Sequence, residues 1–134
     1  MNHWNHNTQV PSRKRKLRQR TKKFAIRVIN LFRALPKSPD AQTLGKQVLR
    51  SGTSVAANYR AVCRSRSKAE FISKMGIVVE EADETVFWLE VLTETGVISE
   101  TRTRELQTEA NELLAISARH FALQRKTLND SIPR

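Results

Sequence analysis

Along most of the chain the apolar residues recur every three or four positions, not every two. That period gathers side chains on one face of a 3.6-residue helix, whereas a half-buried strand would alternate. No proline falls between Pro39 and Pro133, and no Asn-Gly or Asp-Gly pair marks a hairpin. The first stripe is Phe24, Val28, Leu31, Phe32 and Leu35, with Ala25 and Ile29 widening it. Leu35-Pro36 and Ser38-Pro39 end it, because the residue before a proline is driven out of the α region. Ser38 is placed to cap a second helix with Pro39 at its first position, where a missing N–H costs least. That helix is expected from about Pro39 to Arg64, with the stripe Leu44, Val48, Gly52, Val55, Tyr59 and Val62. Glycine costs helix propensity, so Gly52 points to the close approach of a neighbouring helix.

Beside that stripe runs a polar one, Gln47, Ser51, Ser54 and Asn58. It reads equally as a helix–helix or subunit contact and as a partly solvated flank. Ser67 and Glu70 have capping-box spacing at the start of a third helix, whose stripe is Phe71, Met75, Val78, Ala82, Val86, Leu89 and Leu92. Gly96 is its expected left-handed stop. Phe87, Trp88 and Val91 fall off the stripe, so this helix is apolar on more than one side. That predicts a second helix layer or a partner subunit, with Trp88 at the contact. Ser99 is placed to cap a last helix carrying Leu106, Ala110, Leu113, Leu114, Ser117, Phe121 and Leu128. Short connections join antiparallel neighbours. The expected fold is all-α: an antiparallel up-down-up-down four-helix bundle, oligomeric, over residues 24–128, with 129–134 as a C-terminal tail.

Charge divides the chain further. Its 134 residues carry a formal net charge of +11. Residues 1–23 contribute +8, 24–74 another +8, 75–112 −8 and 113–134 +3. The first +8 is Arg13, Lys14, Arg15, Lys16, Arg18, Arg20, Lys22 and Lys23. Cations this dense repel one another and resist folding alone, so residues 1–23 are expected to be a disordered basic arm. Facing phosphates they would release counterions, giving affinity with steep salt dependence and no inherent sequence readout. Trp4 could stack on a base. An acidic protein, a membrane surface or mere solubility would use the same residues. A second cluster, Arg60, Arg64, Arg66 and Lys68, closes the second helix. There it either complements the helix dipole, contacts phosphate, or forms a charged ring if subunits assemble around an axis.

The acidic run Glu80, Glu81, Asp83, Glu84, Glu90, Glu94 suggests metal carboxylates. A di-iron bundle, however, needs Glu-x-x-His pairs on two helices, and the only histidine of the body is His120. Glu81 and Glu84 are expected to pair with Arg or Asn of the second helix, or to be solvated. No metal or cofactor is expected, and His3-x-x-His6 in the arm is no better a site. A single cysteine, Cys63, excludes an intramolecular disulfide and most cysteine zinc sites, and fits a reducing cytoplasm. Basic neighbours could lower its pKa, but no histidine lies near it in sequence. Four scattered glycines make no phosphate loop, and neither GxSxG nor GxGxxG occurs. No catalytic residue is expected. Apolar runs such as Ile77-Val78-Val79 fall far short of the roughly 20 residues of a membrane span. No secretory signal is expected, because no apolar core segment with a small-residue cleavage site stands near the start.

Two segments, Leu44 to Val62 and Ser67 to Thr85, resemble the bacterial four-helix bundle family named for proteins encoded in intervening sequences of 23S ribosomal RNA. Gln47, Arg50-Ser51, Ser54, Asn58 and the helix from Phe71 to Leu92 carry the likeness, which covers about residues 24–126. Many relatives continue the Asn58 segment with Glu-Gly, where this chain has Ala61-Val62. The resemblance implies a homopentamer without catalytic activity. The family also includes accessory proteins of diversity-generating retroelements, basic pentamers that bind nucleic acid beside a reverse transcriptase. The expected function is therefore non-enzymatic RNA or DNA binding, with a reverse transcriptase as a candidate partner and no membrane partner. The alternative is a scaffold module docking an acidic protein.

Overall fold

In the computed structural model the described residues, 12–131, form four α-helices and no strand. These are α1 (Ser12–Ala34), α2 (Pro39–Cys63), α3 (Lys68–Glu94) and α4 (Glu100–Ser131). α1 packs on α2 and α4, and α3 packs on the same two, so α1 and α3 occupy opposite corners. The all-α expectation holds. Residues 1–11, with Trp4 and the first histidines, and residues 132–134 lie outside the described residues.

The boundary expected at residue 23 is corrected. Arg13 to Lys23 is not an arm but the first half of α1. Leu17 and Thr21 continue the stripe of Phe24 and Val28 at spacings of four and three, and are 5% and 1% exposed. Burying them holds a segment that charge repulsion alone would unfold. At the other end α4 runs to Ser131, so Asn129 to Ser131 belong to the helix rather than to a tail.

The punctuation follows the sequence signals, with one variation. Ser67 Oγ accepts the Glu70 N–H at 3.0 Å, the capping half of the expected box. Gly96 takes φ +76 just past α3, a conformation that costs glycine little. Ser38 occupies the N-cap position before Pro39, yet its side chain makes no capping bond. Its hydroxyl serves the Asp40 carboxylate instead, and that hydrogen bond holds Asp40 below the ordinary carboxylate range.

The core is assembled from Phe24 and Val28 of α1, Val48, Val55, Tyr59 and Val62 of α2, Met75, Val78, Leu89 and Leu92 of α3, and Leu106 and Leu113 of α4. Leu31, Phe32 and Leu44, placed on the apolar stripes, are only partly buried. Gly52 does what its position suggested: a Cβ there would stand 2.8 Å from Val28 Cγ2 and 2.9 Å from Cγ1, so α1 and α2 meet backbone to side chain. Gly45, one register further, faces Leu35 and Phe32 in the same way.

Candidate nucleic-acid interface

Ordering residues 12–23 as helix fixes where each cation of α1 lies. Arg18 and Lys22, one turn apart, line an open groove against α2 with Gln19, Thr53, Ala56, Ala57 and Arg60. The small residues of α2 make a shallow floor, so the cations stand above it. Arg13, Lys16 and Arg20 border a second groove, against Arg119 and His120 of α4. Arg15 and Lys23 are exposed outside both grooves. One helix thus carries positive charge on three sides.

The second basic cluster converges on the same end. Lys14 Nζ lies 5.2 Å from the centroid of Phe71, the first buried residue of α3. Lys14, Arg18 and Arg64 all act electrostatically on Cys63 at the end of α2. Burial lowers the pKa of the Lys14 ammonium. Arg60, Arg64 and Arg66 are exposed and Lys68 is half-buried, and Arg66 reaches Glu70 at 3.7 Å. The two clusters, separated in sequence, are therefore neighbours in space.

Arg20 is the exception. Its Nε and Nη2 hold Glu109 at 2.8 and 2.7 Å, and Nη2 also reaches Glu112 at 2.6 Å. The bond to Glu109 is the main cause that raises the Arg20 pKa and lowers that of Glu109. A fork satisfied by two carboxylates ties α1 to α4 and is not offered to a phosphate. Arg50 does the same between α2 and α3: it bonds Glu81 at 3.2 Å and also Glu84. The expected pairing of these two glutamates with the second helix is what the structure shows.

The polar stripe of α2 divides by position. Ser51 is buried and its Oγ accepts from Thr85 Oγ1 of α3 at 2.9 Å, so at this position the stripe is a helix–helix contact within one chain. Gln47, Ser54 and Asn58 are half-buried, and Asn58 Nδ2 donates to the Ser54 carbonyl of its own helix. Trp88 is half-buried and donates to Glu84 at 3.4 Å. Its neighbour Phe87 is the more exposed of the pair, at 53%, and meets Trp88 edge-on.

A profile of the family described as 23S rRNA-intervening sequence protein matches residues 13–119. The chain belongs to that family. The match begins within the basic segment, in agreement with its place in α1. A crystal structure of a protein of unknown function from the S23 ribosomal protein family of Bacteroides thetaiotaomicron VPI-5482 is similar, at 31% identity and a TM-score of 0.75, covering 81% of this chain and 97% of that one. No curated protein matches.

In this member of the 23S rRNA-intervening sequence protein family, burial reverses the expectation for Cys63. Desolvation pushes the thiol pKa up, outweighing a hydrogen bond from Tyr59 and the cations Lys14, Arg18 and Arg64. A raised pKa leaves little thiolate, the form a nucleophile needs. His120 stands in the α1–α4 groove, its pKa lowered by burial and then by Arg13 and Arg119. Among the described residues no group of three His, Cys, Asp or Glu is placed to hold a metal ion, and no helix is long and apolar enough to cross a membrane. Arg119 and His120 line the α1–α4 groove; the sequence signal for Arg119 was the +3 of residues 113–134, to which the neutral His120 adds nothing.

Proposed function

We propose that this family member is a non-enzymatic nucleic-acid-binding protein whose phosphate contacts come from α1, the end of α2 and the turn that follows it. One observation carries the reading: Arg18, Lys22 and Arg60 meet across one groove while Arg13, Lys16, Arg64 and Lys68 lie around the same end. Acidic side chains of the region are engaged, Glu109 and Glu112 by Arg20 and Glu70 by Arg66. What remains at the surface is cationic.

The test is the salt dependence of binding to a labelled oligonucleotide. Each phosphate contact contributes about 0.7 to 0.9 to the slope of log affinity against log salt. Replacing Arg18, Lys22 and Arg60 together with Gln is expected to flatten that slope by about 2 to 3. No binding at about 50 mM salt would overturn the proposal, because electrostatic contacts are strongest there. Removing residues 1–23 outright is a poor probe, since Leu17 and Thr21 belong to the packed helix. The alternative, a scaffold docking an acidic protein, would show itself as binding to polyglutamate without binding to oligonucleotide.

The finer architecture belongs to the same proposal. The chain forms an up-down-up-down antiparallel bundle, supported by paired contacts of opposite sense: Gly45 with Leu35 and Gly52 with Val28, Gly76 with Phe121 and Thr93 with Thr103. It self-associates, as a homopentamer by family resemblance, supported by exposed Phe87 and Ile77 on α3. A partnership with a reverse transcriptase rests on that resemblance and is tested by its genomic neighbourhood. A buried free thiol fits a cytoplasmic location.

A further inference from the structure

The two grooves flanking α1 differ in chemistry. The α2 side is floored by Thr53, Ala56 and Ala57, side chains too small to cover a ring. The α4 side has an apolar floor of Leu17, Ile116 and Leu123 beneath its cations. Leu123 is 54% exposed, an apolar surface that water otherwise covers. His120, half-buried, stands beside it on the next turn of approach from α4. The groove encloses about 430 Å³, within the roughly 300–1,000 Å³ of small-ligand sites. No carboxylate lines it.

We infer that the α1–α4 groove receives an unpaired base of a single-stranded nucleic acid, flat against His120 and Leu123, with its flanking phosphates on Arg13, Lys16 and Arg119. The inference rests on the nucleic-acid reading above and narrows its substrate to single strands. Arg13 and Lys16 sit three residues apart on one helix face, with Cβ atoms about 5–6 Å from each other. Arg119 faces them from α4. Cations on both banks and an apolar strip between them match a nucleotide, which is charged at its edge and apolar on its face. An unpaired base can leave its own stack and lie on an imidazole or guanidinium plane, whereas a paired base inside a duplex cannot. Arg20 borders the groove but keeps its carboxylates, so it shapes the wall rather than binding phosphate.

The test compares the full-length protein's affinity for a labelled oligouridine, an oligothymidine and a duplex of equal length, by fluorescence anisotropy. Single strands are expected to bind more tightly than the duplex. Leu123→Ala and His120→Ala should each lower single-strand affinity, together by fivefold or more given what a stacked base contributes (roughly fivefold to over a hundredfold), while leaving duplex affinity unchanged. Leu123 is exposed on a helix, so its alanine variant is expected to fold; circular dichroism checks both variants. Equal binding of single strands and duplex, or groove variants without effect, would overturn the groove while leaving the basic face standing. A fall in molecular mass by light scattering in Leu123→Ala would also overturn it, by making the groove a subunit contact. Failure of every oligonucleotide at low salt would overturn both readings.

Discussion

Three glycines of the bundle face side chains at short range, and at Gly52 and Gly76 the same substitution has opposite consequences. An alanine methyl at position 52 would stand 2.8 Å from Val28 Cγ2, 2.9 Å from Cγ1 and 3.2 Å from Cβ. Val28 is fully buried and β-branched, so its χ1 is fixed by its own helix and it cannot swing aside. Removing a helix glycine gains about 1 kcal/mol of propensity, but overpacking a close-packed core costs about 1–3 kcal/mol. Gly52→Ala is therefore expected to be destabilising by about 1 kcal/mol, with a melting point lower by a few degrees. At Gly76 the nearest atom is Phe121 Cε1 at 3.2 Å, the far end of a half-buried ring on α4. That ring can give by a few tenths of an ångström, so the propensity gain prevails. Gly76→Ala is expected to raise the melting point, and calorimetry of the two variants reads both signs. Two equal shifts would mean that the approach of α1 to α2 is looser than the distances imply.

At the scale of the element, α1 sets local charge against long-range packing. Its first turn has no acidic residue, so cations crowd the positive end of the dipole, where anions would stabilise it. Leu17 and Thr21 in the core and the Arg20 fork on Glu109 and Glu112 hold it in place. Leu17→Ala is accordingly expected to cost about 2 kcal/mol in urea unfolding, low in the range for core leucines because the end of a helix can relax. An unshifted midpoint would return the segment to the status of an arm. The series Leu17, Thr21, Phe24, Val28 was present in the sequence at spacings of four, three and four. It is masked because a threonine stands at one core position and cations fill nearly all the surface positions, and the packing against α2 and α4 that overrides their repulsion is not a local signal. α3 was legible for the converse reason: its cap, its stripe and its glycine stop are local signals in Ser67, Phe71 to Leu92 and Gly96. The candidate interface was legible only in part. Arg18, Lys22 and Arg60 are cations in any reading, but their meeting across α1 and α2, and the loss of Arg20 to two glutamates, are tertiary facts.

For the molecule as a whole, the arrangement of charge decides what can neutralise it. α1 and α3 pack mainly on the same two helices and occupy opposite corners, with Lys14 of α1 reaching the Phe71 ring of α3, which sets most cations of α1 away from the acidic outer face of α3. Arg50 and Arg20 neutralise acids on adjacent helices only. Along the outer face of α3, Ile77, Glu80, Asp83, Phe87 and Glu90 are all exposed, at spacings of three and four. An apolar side chain amid carboxylates is poorly placed against nucleic acid and well placed against the cationic face of a second copy, where Ile26 is 50% exposed on α1. The net charge of +11 repels copies at long range, so association must draw on apolar contact. Fully covering a phenylalanine is worth roughly 1.5–3 kcal/mol, which over a repeated interface is enough to shift an equilibrium at micromolar concentration. Phe87→Ser is expected to lower the light-scattering mass of the protein while leaving its helix content nearly unchanged, because the side chain is 53% exposed and contributes little to the core of one chain. A wild-type protein already monomeric at micromolar concentration would remove α3 from any role in assembly. A variant that keeps its mass would instead place the contact on another face.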